Sequence, residues 1–163
     1  MMGPFKPKAL VAALDAQRIA RHMTWAEVAQ AIAVSESAMR EIADREVVET
    51  DDVLQMTRWL GLNIESFVGE AKDRVLGPEP GDHRSTGRLL HFDTRALYAA
   101  VDAARKAQGL SWQAVSEQVG SKRATAHMLM GLQKAQRIDL YTMLAIVRWL
   151  GSHTSKFTRL MDA

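Results

Sequence analysis

The side chains of this chain that could do chemistry are cations and hydroxyls, and none of them is arranged for catalysis. Histidine is scattered rather than clustered, at His22, His83, His91, His127 and His153. This spacing does not suit a metal site, and the absence of cysteine excludes thiolate ligands and disulfides. The sequence contains no glycine-rich phosphate loop and no grouping of nucleophile, base and acid. We therefore expect no enzyme, no cofactor and no metal.

The cations are unevenly distributed along the chain. The net charge is +2 over 163 residues, but residues 1–75 hold 9 Lys and Arg against 12 Asp and Glu. Residues 76–163 hold 12 Lys and Arg against 7 Asp and Glu, a net charge of +5. Such an excess attracts a polyanion, of which nucleic acid is the commonest. The alternative is that a charge of this size belongs to an ordinary small domain.

The elements that must position these side chains occur twice. Residues 5–67 correspond to residues 92–157. The offset is 87 between Trp25 and Trp112, and it becomes 90 in the RWLG sequences that contain Trp59 and Trp149. Self-similarity over this length indicates two copies of one folding unit.

The boundaries of the two copies follow from composition. Residues 77–88 are rich in Gly, Pro and polar residues, which is typical of an exposed linker. We predict an N-terminal domain at 1–76 and a C-terminal domain at 89–163. Within the linker, Arg84 and Arg88 could enter a minor groove or simply be solvated.

Both copies are predicted to be helical, because β-branched alternation is rare and Ala, Leu, Met, Gln and Arg are frequent. Four residues are placed to cap helices: Thr24, Ser35, Asp93 and Asp139. Glu27 completes a capping box with Thr24. A fifth helix is predicted from Ile64 to about Val75. We therefore expect an all-α fold of two tandem helix-turn-helix domains with about five helices each.

Helices two and three of each unit are joined by a very short turn. This is the spacing of a helix-turn-helix, in which the first helix crosses the DNA backbone and the next one enters the major groove. The turn favours a residue that can take positive φ. Gly120 meets that demand, whereas Ala33 would cost roughly 1 kcal/mol there. The second turn is expected to be one residue shorter than the first, which leaves its register over residues 121–123 open by one position.

The residues around these turns resemble the Cro/lambda-repressor-like family of phage and bacterial regulators. The resemblance lies in residues 23–42 (MTWAEVAQAIAVSESAMREI), 110–120 (LSWQAVSEQVG) and 148–151 (RWLG). The tandem form is similar to the immunity repressors of temperate actinobacterial phages (mycobacteriophages). This resemblance implies binding to double-stranded DNA, repression of transcription, phage immunity and lysogeny. It also implies a cytoplasmic, nucleoid-associated protein with no membrane contact.

The resemblance also implies which residues contact DNA. Base-reading positions fall on the third helix of each unit: Ser35, Glu36, Ser37, Arg40 and Glu41 in the first, and Ser121, Lys122, Arg123, Ala126 and His127 in the second. Backbone contacts fall on Thr24 and Ser111, and on Lys134 and Arg137 in the following loop. The family often has Gln where this chain has Trp25 and Trp112, and an indole N–H could still donate to phosphate. Arginine can fork onto guanine, glutamate can accept from cytosine, and lysine can bind guanine or phosphate. For the two tryptophans, a core or rim role is the alternative.

An acidic stretch at residues 44–52 stands where the first unit would clamp phosphate. A duplex repels such a stretch unless it turns away from the DNA. The first unit is therefore either a DNA reader or a contact module for RNA polymerase or another regulator. We expect one chain to bind an asymmetric site with both units as a monomer, with a weak dimer as the alternative.

Overall fold

The computed structural model describes residues 4–69 and 87–162, which are mostly helical. Within them the order of helices and strands is α1 (Pro7–Ala20), α2 (Trp25–Ile32), α3 (Glu36–Arg40), α4 (Thr50–Leu60), β1 (Arg88–Phe92), α5 (Thr94–Ala107), α6 (Trp112–Val119), α7 (Ala126–Met130), α8 (Leu140–Leu150) and β2 (Thr158–Asp162). Short 3-10 helices lie at Ile42–Asp44, Ile64–Phe67, Gly131–Gln133 and Thr154–Phe157. We call residues 4–69 the first half and residues 87–162 the second half.

The expectation of an all-α chain is wrong, because β1 and β2 form an antiparallel sheet. The ladder runs from Arg88 to Phe92 on β1, and Phe92 lies opposite Thr158. The same contact exists in the first half as a single bridge between Phe5 and Val68. Both halves therefore pair the residues before their first helix with the residues after their last 3-10 turn, and in the second half this pairing is extended into a sheet. The local sequence does not indicate this sheet, because strand pairing is non-local and the composition up to Arg88 is typical of a linker.

The expected plan of five helices per domain is also wrong for the described residues, where each half has four α-helices. The fifth helix predicted from Ile64 is a single 3-10 turn that ends at Phe67, and Val68 is already extended. The Phe67 carbonyl accepts a hydrogen bond from the Lys6 amide at 2.7 Å, so it is not available to continue a helix. Residues 70–75 of the predicted helix lie outside the described residues.

The predicted starts of α2, α3, α5 and α8 are confirmed, and a side chain caps each of these four helices. Four caps accept a hydrogen bond from the backbone amide of the third residue of the helix, at 3.0 to 3.1 Å: Thr24, Ser35, Asp93 and Asp139. The Glu27 carboxylate closes the capping box by accepting from the Thr24 amide at 3.0 Å. These caps fix where each helix begins, and hence which face it turns to the core.

The two halves bury corresponding positions. The pairs Leu10 and Leu97, Leu14 and Val101, Val28 and Val115, Met39 and Leu129, and Ile42 and Leu132 are all at most 1% exposed. The first three pairs are separated by 87 residues and the last two by 90. Both halves therefore build the same core, and the change in offset lies between Val28 and Met39.

A self-complementary backbone pairing joins the halves. The Thr50 amide donates to the Ile138 carbonyl at 3.1 Å, and the Leu140 amide donates to the Val48 carbonyl at 2.7 Å. Each bond is the counterpart of the other at the repeat offset of 90. The pairing is antiparallel, so it places a pseudo-two-fold axis at this point. One chain therefore contains the kind of contact that two identical subunits make in a symmetric dimer.

The polar face of α4 binds the free edge of β1. The Gln55 amide group donates to the Leu90 carbonyl at 2.7 Å and accepts from the Leu90 amide at 3.0 Å. The Asp51 carboxylate accepts from the Phe92 amide at 2.8 Å, and Arg58 donates to the first carbonyl of β1 at 2.8 Å. These bonds satisfy an otherwise exposed strand edge. They also fix the start of the second half against the first half.

The boundary at residues 77–88 stays a prediction, since residues 77–86 lie outside the described ones. Arg88, the last residue of that predicted linker, is the first residue of β1. No helix within residues 4–69 or 87–162 is long and apolar enough to cross a membrane.

Candidate nucleic-acid interface

The segment predicted to be the first helix-turn-helix consists of α2, a tight turn and α3. Ala33 ends α2 in the left-handed conformation, with φ of 58° and ψ of 39°. Two residues later, Ser35 caps α3 by accepting from the Ala38 amide. The prediction that Ala33 must take positive φ is confirmed. The turn is thus held by a cap at each side, at the cost of strain in a residue that has a Cβ atom.

In the second predicted helix-turn-helix the turn between α6 and α7 is longer than in the first, not shorter as expected. Gly120 ends α6 at φ of 74°. The cap of α7 is Thr125, which accepts from the Met128 amide at 3.1 Å. Ser121, Lys122 and Arg123 therefore form a three-residue insertion relative to the first turn, and this insertion changes the repeat offset from 87 to 90.

The insertion moves the second set of base-reading positions. At the offset of 90, the first set corresponds to Thr125, Ala126, His127, Met130 and Gly131. Ala126 and His127 lie on α7 as predicted, whereas Ser121, Lys122 and Arg123 lie in the turn before it. The buried residues give the reason, because Ala124, Leu129 and Leu132 must fill the positions of Val34, Met39 and Ile42. That apolar register is visible in the sequence and would have located the insertion.

The outward face of α3 carries paired charges. Ser35, Ser37, Arg40 and Glu41 are exposed and Glu36 is half-buried. Arg40 Nη1 lies 3.1 Å from Glu36 Oε1. Arg45 Nη2, from the following loop, lies 3.3 Å from Glu41 Oε2 and 3.4 Å from Ser37 Oγ. Exposed ion pairs of this kind are worth little, so Arg40 can exchange its carboxylate for another acceptor.

The corresponding surface of the second half is cationic. Lys122, Arg123, Lys134 and Arg137 are all exposed, in the turn before α7 and the loop after it. No Asp or Glu occurs between residues 118 and 138. His127 and Met130 are exposed on α7 itself, between these two basic segments. The arrangement can bind a polyanion on both sides of one short helix.

Trp25 and Trp112 pack against the first helix of their own half. The guanidinium of Arg18 lies 5.1 Å from the Trp25 ring centre, and that of Arg105 lies 4.7 Å from the Trp112 ring centre. Trp112 also stacks on Tyr98, with ring centres 5.6 Å apart. Both indoles are half-buried. These contacts favour the rim role that the sequence left as an alternative.

The bonds around these tryptophans repeat in both halves. Arg18 bonds the Asp15 carboxylate at 2.6 Å and the Met23 carbonyl at 3.0 Å. Arg105 bonds Asp102 at 2.8 Å and the Leu110 carbonyl at 3.1 Å in the same way. Each arginine thereby ties the first helix to the residue before the motif, so the start of the motif is fixed on the core. Thr24 and Ser111, which cap α2 and α6, are exposed at these fixed points.

The acidic stretch at 44–52 lies at the junction between the halves. The Asp51 carboxylate is used to bind β1, and its second oxygen lies 2.8 Å from His91 Nδ1. Glu46 reaches Arg123 in the second motif, at 3.9 Å. Burial raises the pKa of Glu49 and that of Asp52 above their ordinary values. Some of these carboxylates, such as Asp51, therefore hold the two halves together. No local sequence pattern indicates this role.

Comparison with protein-family models, with curated proteins and with solved structures finds no match to this chain.

Proposed function

We propose that the chain binds double-stranded DNA in a sequence-specific way and represses transcription, as phage immunity repressors do. The observation that carries this proposal is the antiparallel pairing of residues 48–50 with 138–140, which relates the two repeated halves, each with one such motif, by a pseudo-two-fold axis. Dimeric regulators use a two-fold axis to place one recognition helix in each of two successive major grooves. Here a single chain has both helices, α3 and α7, and the axis that relates them.

In this proposal the first motif reads bases and the second motif supplies most of the phosphate contacts. In the first, Arg40 forks onto a guanine and Glu36 accepts from a cytosine amino group. In the second, Lys122, Arg123 and the loop cations bind phosphates and give most of the affinity. Because the two motifs differ, the preferred site is asymmetric, and its half-sites are centred about one helical turn apart. A protein bound there obstructs RNA polymerase and resides on the nucleoid.

Selection of duplexes from a random library by the full chain tests this function. We expect one enriched sequence with two unlike half-sites, and a Kd that weakens steeply as salt rises. Enrichment of no sequence, or binding that is equal for every duplex, would refute sequence-specific recognition.

A second candidate function is supported by the charge of the first motif. Residues 35–49 hold five carboxylates and two arginines, and both arginines are paired with carboxylates. This surface could bind RNA polymerase or another regulator while the second motif holds the DNA. Arg40→Ala separates the two functions. Relaxed selection at one base pair supports DNA reading, whereas an unchanged selected sequence supports a protein contact.

A further inference from the structure

Helix α7 is apolar where α3 carries an ion pair. Met130 is 49% exposed and corresponds to Arg40 at the repeat offset of 90. Ala126 corresponds to Glu36, the partner of Arg40 at 3.1 Å. Residues four apart lie on the same face of a helix, so Ala126 and Met130 together form one outward apolar surface.

The same helix has no side chain that can form a fork of two hydrogen bonds with a base. From Thr125 to Gly131 the sequence contains no Arg, Lys, Asn, Gln, Asp or Glu. Those are the side chains that identify guanine, adenine and cytosine in the major groove. His127 is exposed and can make a single hydrogen bond. The remaining readout available to α7 is apolar contact, and in the major groove the apolar group is the C5-methyl of thymine.

The surroundings of this surface favour a duplex as its occupant. A single exposed apolar side chain needs no partner. Here, however, exposed Lys122 and Arg123 directly precede the helix along the chain, and exposed Lys134 and Arg137 follow it in the next loop. No carboxylate is present within residues 118–138. Glu46 of the first half lies 3.9 Å from Arg123 and Arg137 acts on the Glu49 carboxyl, but the Glu46–Arg123 pair is exposed, and an exposed pair of this kind is worth little. Cations that bind phosphates on both sides of the groove would press the apolar face of α7 against the base edges.

On the basis of the proposed function, we propose that the second motif reads thymine methyl groups through Met130 and Ala126. The first motif reads a G·C pair through Arg40. The two half-sites therefore differ in chemistry as well as in sequence, with thymine under α7 and guanine under α3. The insertion 121–123 supplies backbone contacts and leaves base reading to α7.

Deoxyuridine tests this inference, because it differs from thymine only by the missing C5-methyl. Each thymine of the selected duplex is replaced in turn, and the affinity of the full chain is measured. We expect a loss of about 2- to 5-fold at one or two thymines of one half-site, the size expected for exposing a methyl group. Thymines elsewhere in the site should show no loss.

Met130 is then tested as the side chain responsible. In Met130→Ala, binding to the thymine duplex should weaken and the effect of deoxyuridine should disappear. Met130→Leu should keep both the affinity and the sensitivity. Met161→Ala is the matched control, since Met161 is also an exposed methionine (42%) but lies on β2, and it should behave as the wild type. Thermal melting checks that each variant is folded.

The outcomes separate this inference from the proposed function. If no deoxyuridine substitution weakens binding, or if Met130→Ala is as sensitive as the wild type, the thymine assignment is overturned while specific DNA binding stands. The thymine assignment is also overturned if the half-site bound by α7 contains no thymine. If no duplex is selected at all, the proposed function fails and the assignment falls with it.

Discussion

The carboxylate of Asp139 accepts a hydrogen bond from the backbone amide of Val48, 2.8 Å away and in the other half of the chain. Its second oxygen caps α8 by accepting from the Thr142 amide and hydroxyl, both at 3.1 Å. One side chain therefore starts a helix of the second half and holds the first half against it. The corresponding residue of the first half, Glu49, makes no cap bond.

Asp139→Ala should destabilise the protein by about 2–4 kcal/mol, because it removes a helix cap and leaves the Val48 amide without its acceptor. Denaturation by urea, followed by circular dichroism, measures this change. Glu49→Ala is the matched control and should cost less than about 1 kcal/mol, since it removes no cap bond. Equal losses from the two variants would contradict the role given to Asp139.

Stability should depend on pH through Glu49. Burial is the largest cause of its raised pKa, Arg137 opposes the shift and Asp52 adds to it. The native state therefore keeps a proton that the unfolded chain has already lost, and stability falls as pH rises through the raised pKa. Glu49→Gln should accordingly stabilise the protein more at pH 7 than at about pH 4.

Asp102 is the control for this pH series, because its pKa is shifted in the opposite direction from that of Glu49. Hydrogen bonds from Arg105 and Lys106 lower the pKa of its carboxyl group. Its stabilising effect is therefore present above its ordinary pKa and is lost as pH falls through the lowered one. Asp102→Asn should destabilise more at pH 7 than at about pH 3. A Glu49→Gln effect that shrinks as pH rises would contradict the burial of that carboxylate.

Arg123 and Arg40 should differ in the kind of DNA contact they make. Arg123 lies in the turn before α7, where it can reach phosphate but is not on the reading helix. Arg123→Ala should weaken binding equally for all sequences and lower the slope of log K against log salt by about 1. Arg40→Ala should cost about 1–3 kcal/mol at one base pair only. Loss of discrimination in Arg123→Ala would show instead that Arg123 reads a base.

The two turns offer a reciprocal test of backbone strain. Ala33 and Gly120 both take positive φ, at 58° and 74°. Ala33→Gly should stabilise the protein by about 0.5–1 kcal/mol, because glycine takes this conformation without strain. Gly120→Ala should destabilise by a similar amount. A Cβ there would meet only the Gln118 carbonyl oxygen at 4.0 Å, so its cost is conformational. Opposite signs for the two substitutions, measured by thermal melting, are the expected result.

Local chemistry made the helix starts predictable, whereas non-local pairing hid the rest of the fold. Thr24, Ser35 and Asp139 could be recognised as caps because a cap depends on its next three residues. The strand that begins at Arg88 could not be recognised from local sequence, because its partners are β2 and the side chains of α4, which are far away in sequence. Residue type alone places Lys122 and Arg123 on the third helix of the second unit, whereas the buried positions around the turn place them before that helix.

The role of the acidic stretch at residues 44–52 also depends on contacts that are distant in sequence. Read along the sequence, residues 44–52 oppose DNA binding. In the structure Asp51 binds the edge of β1, and Glu46 lies beside Arg123. These contacts join the halves, and nothing in the local sequence indicates that the two units pack together across a pseudo-two-fold axis.

The central claim is that one chain presents α3 and α7 to one duplex as a fused dimer would. Sedimentation analysis of the full chain on a duplex with a single selected site tests this most directly. We predict a complex whose mass is one duplex plus one 18.1 kDa chain, with both half-sites required for full affinity. A complex that needs two chains to occupy the two half-sites would contradict the claim.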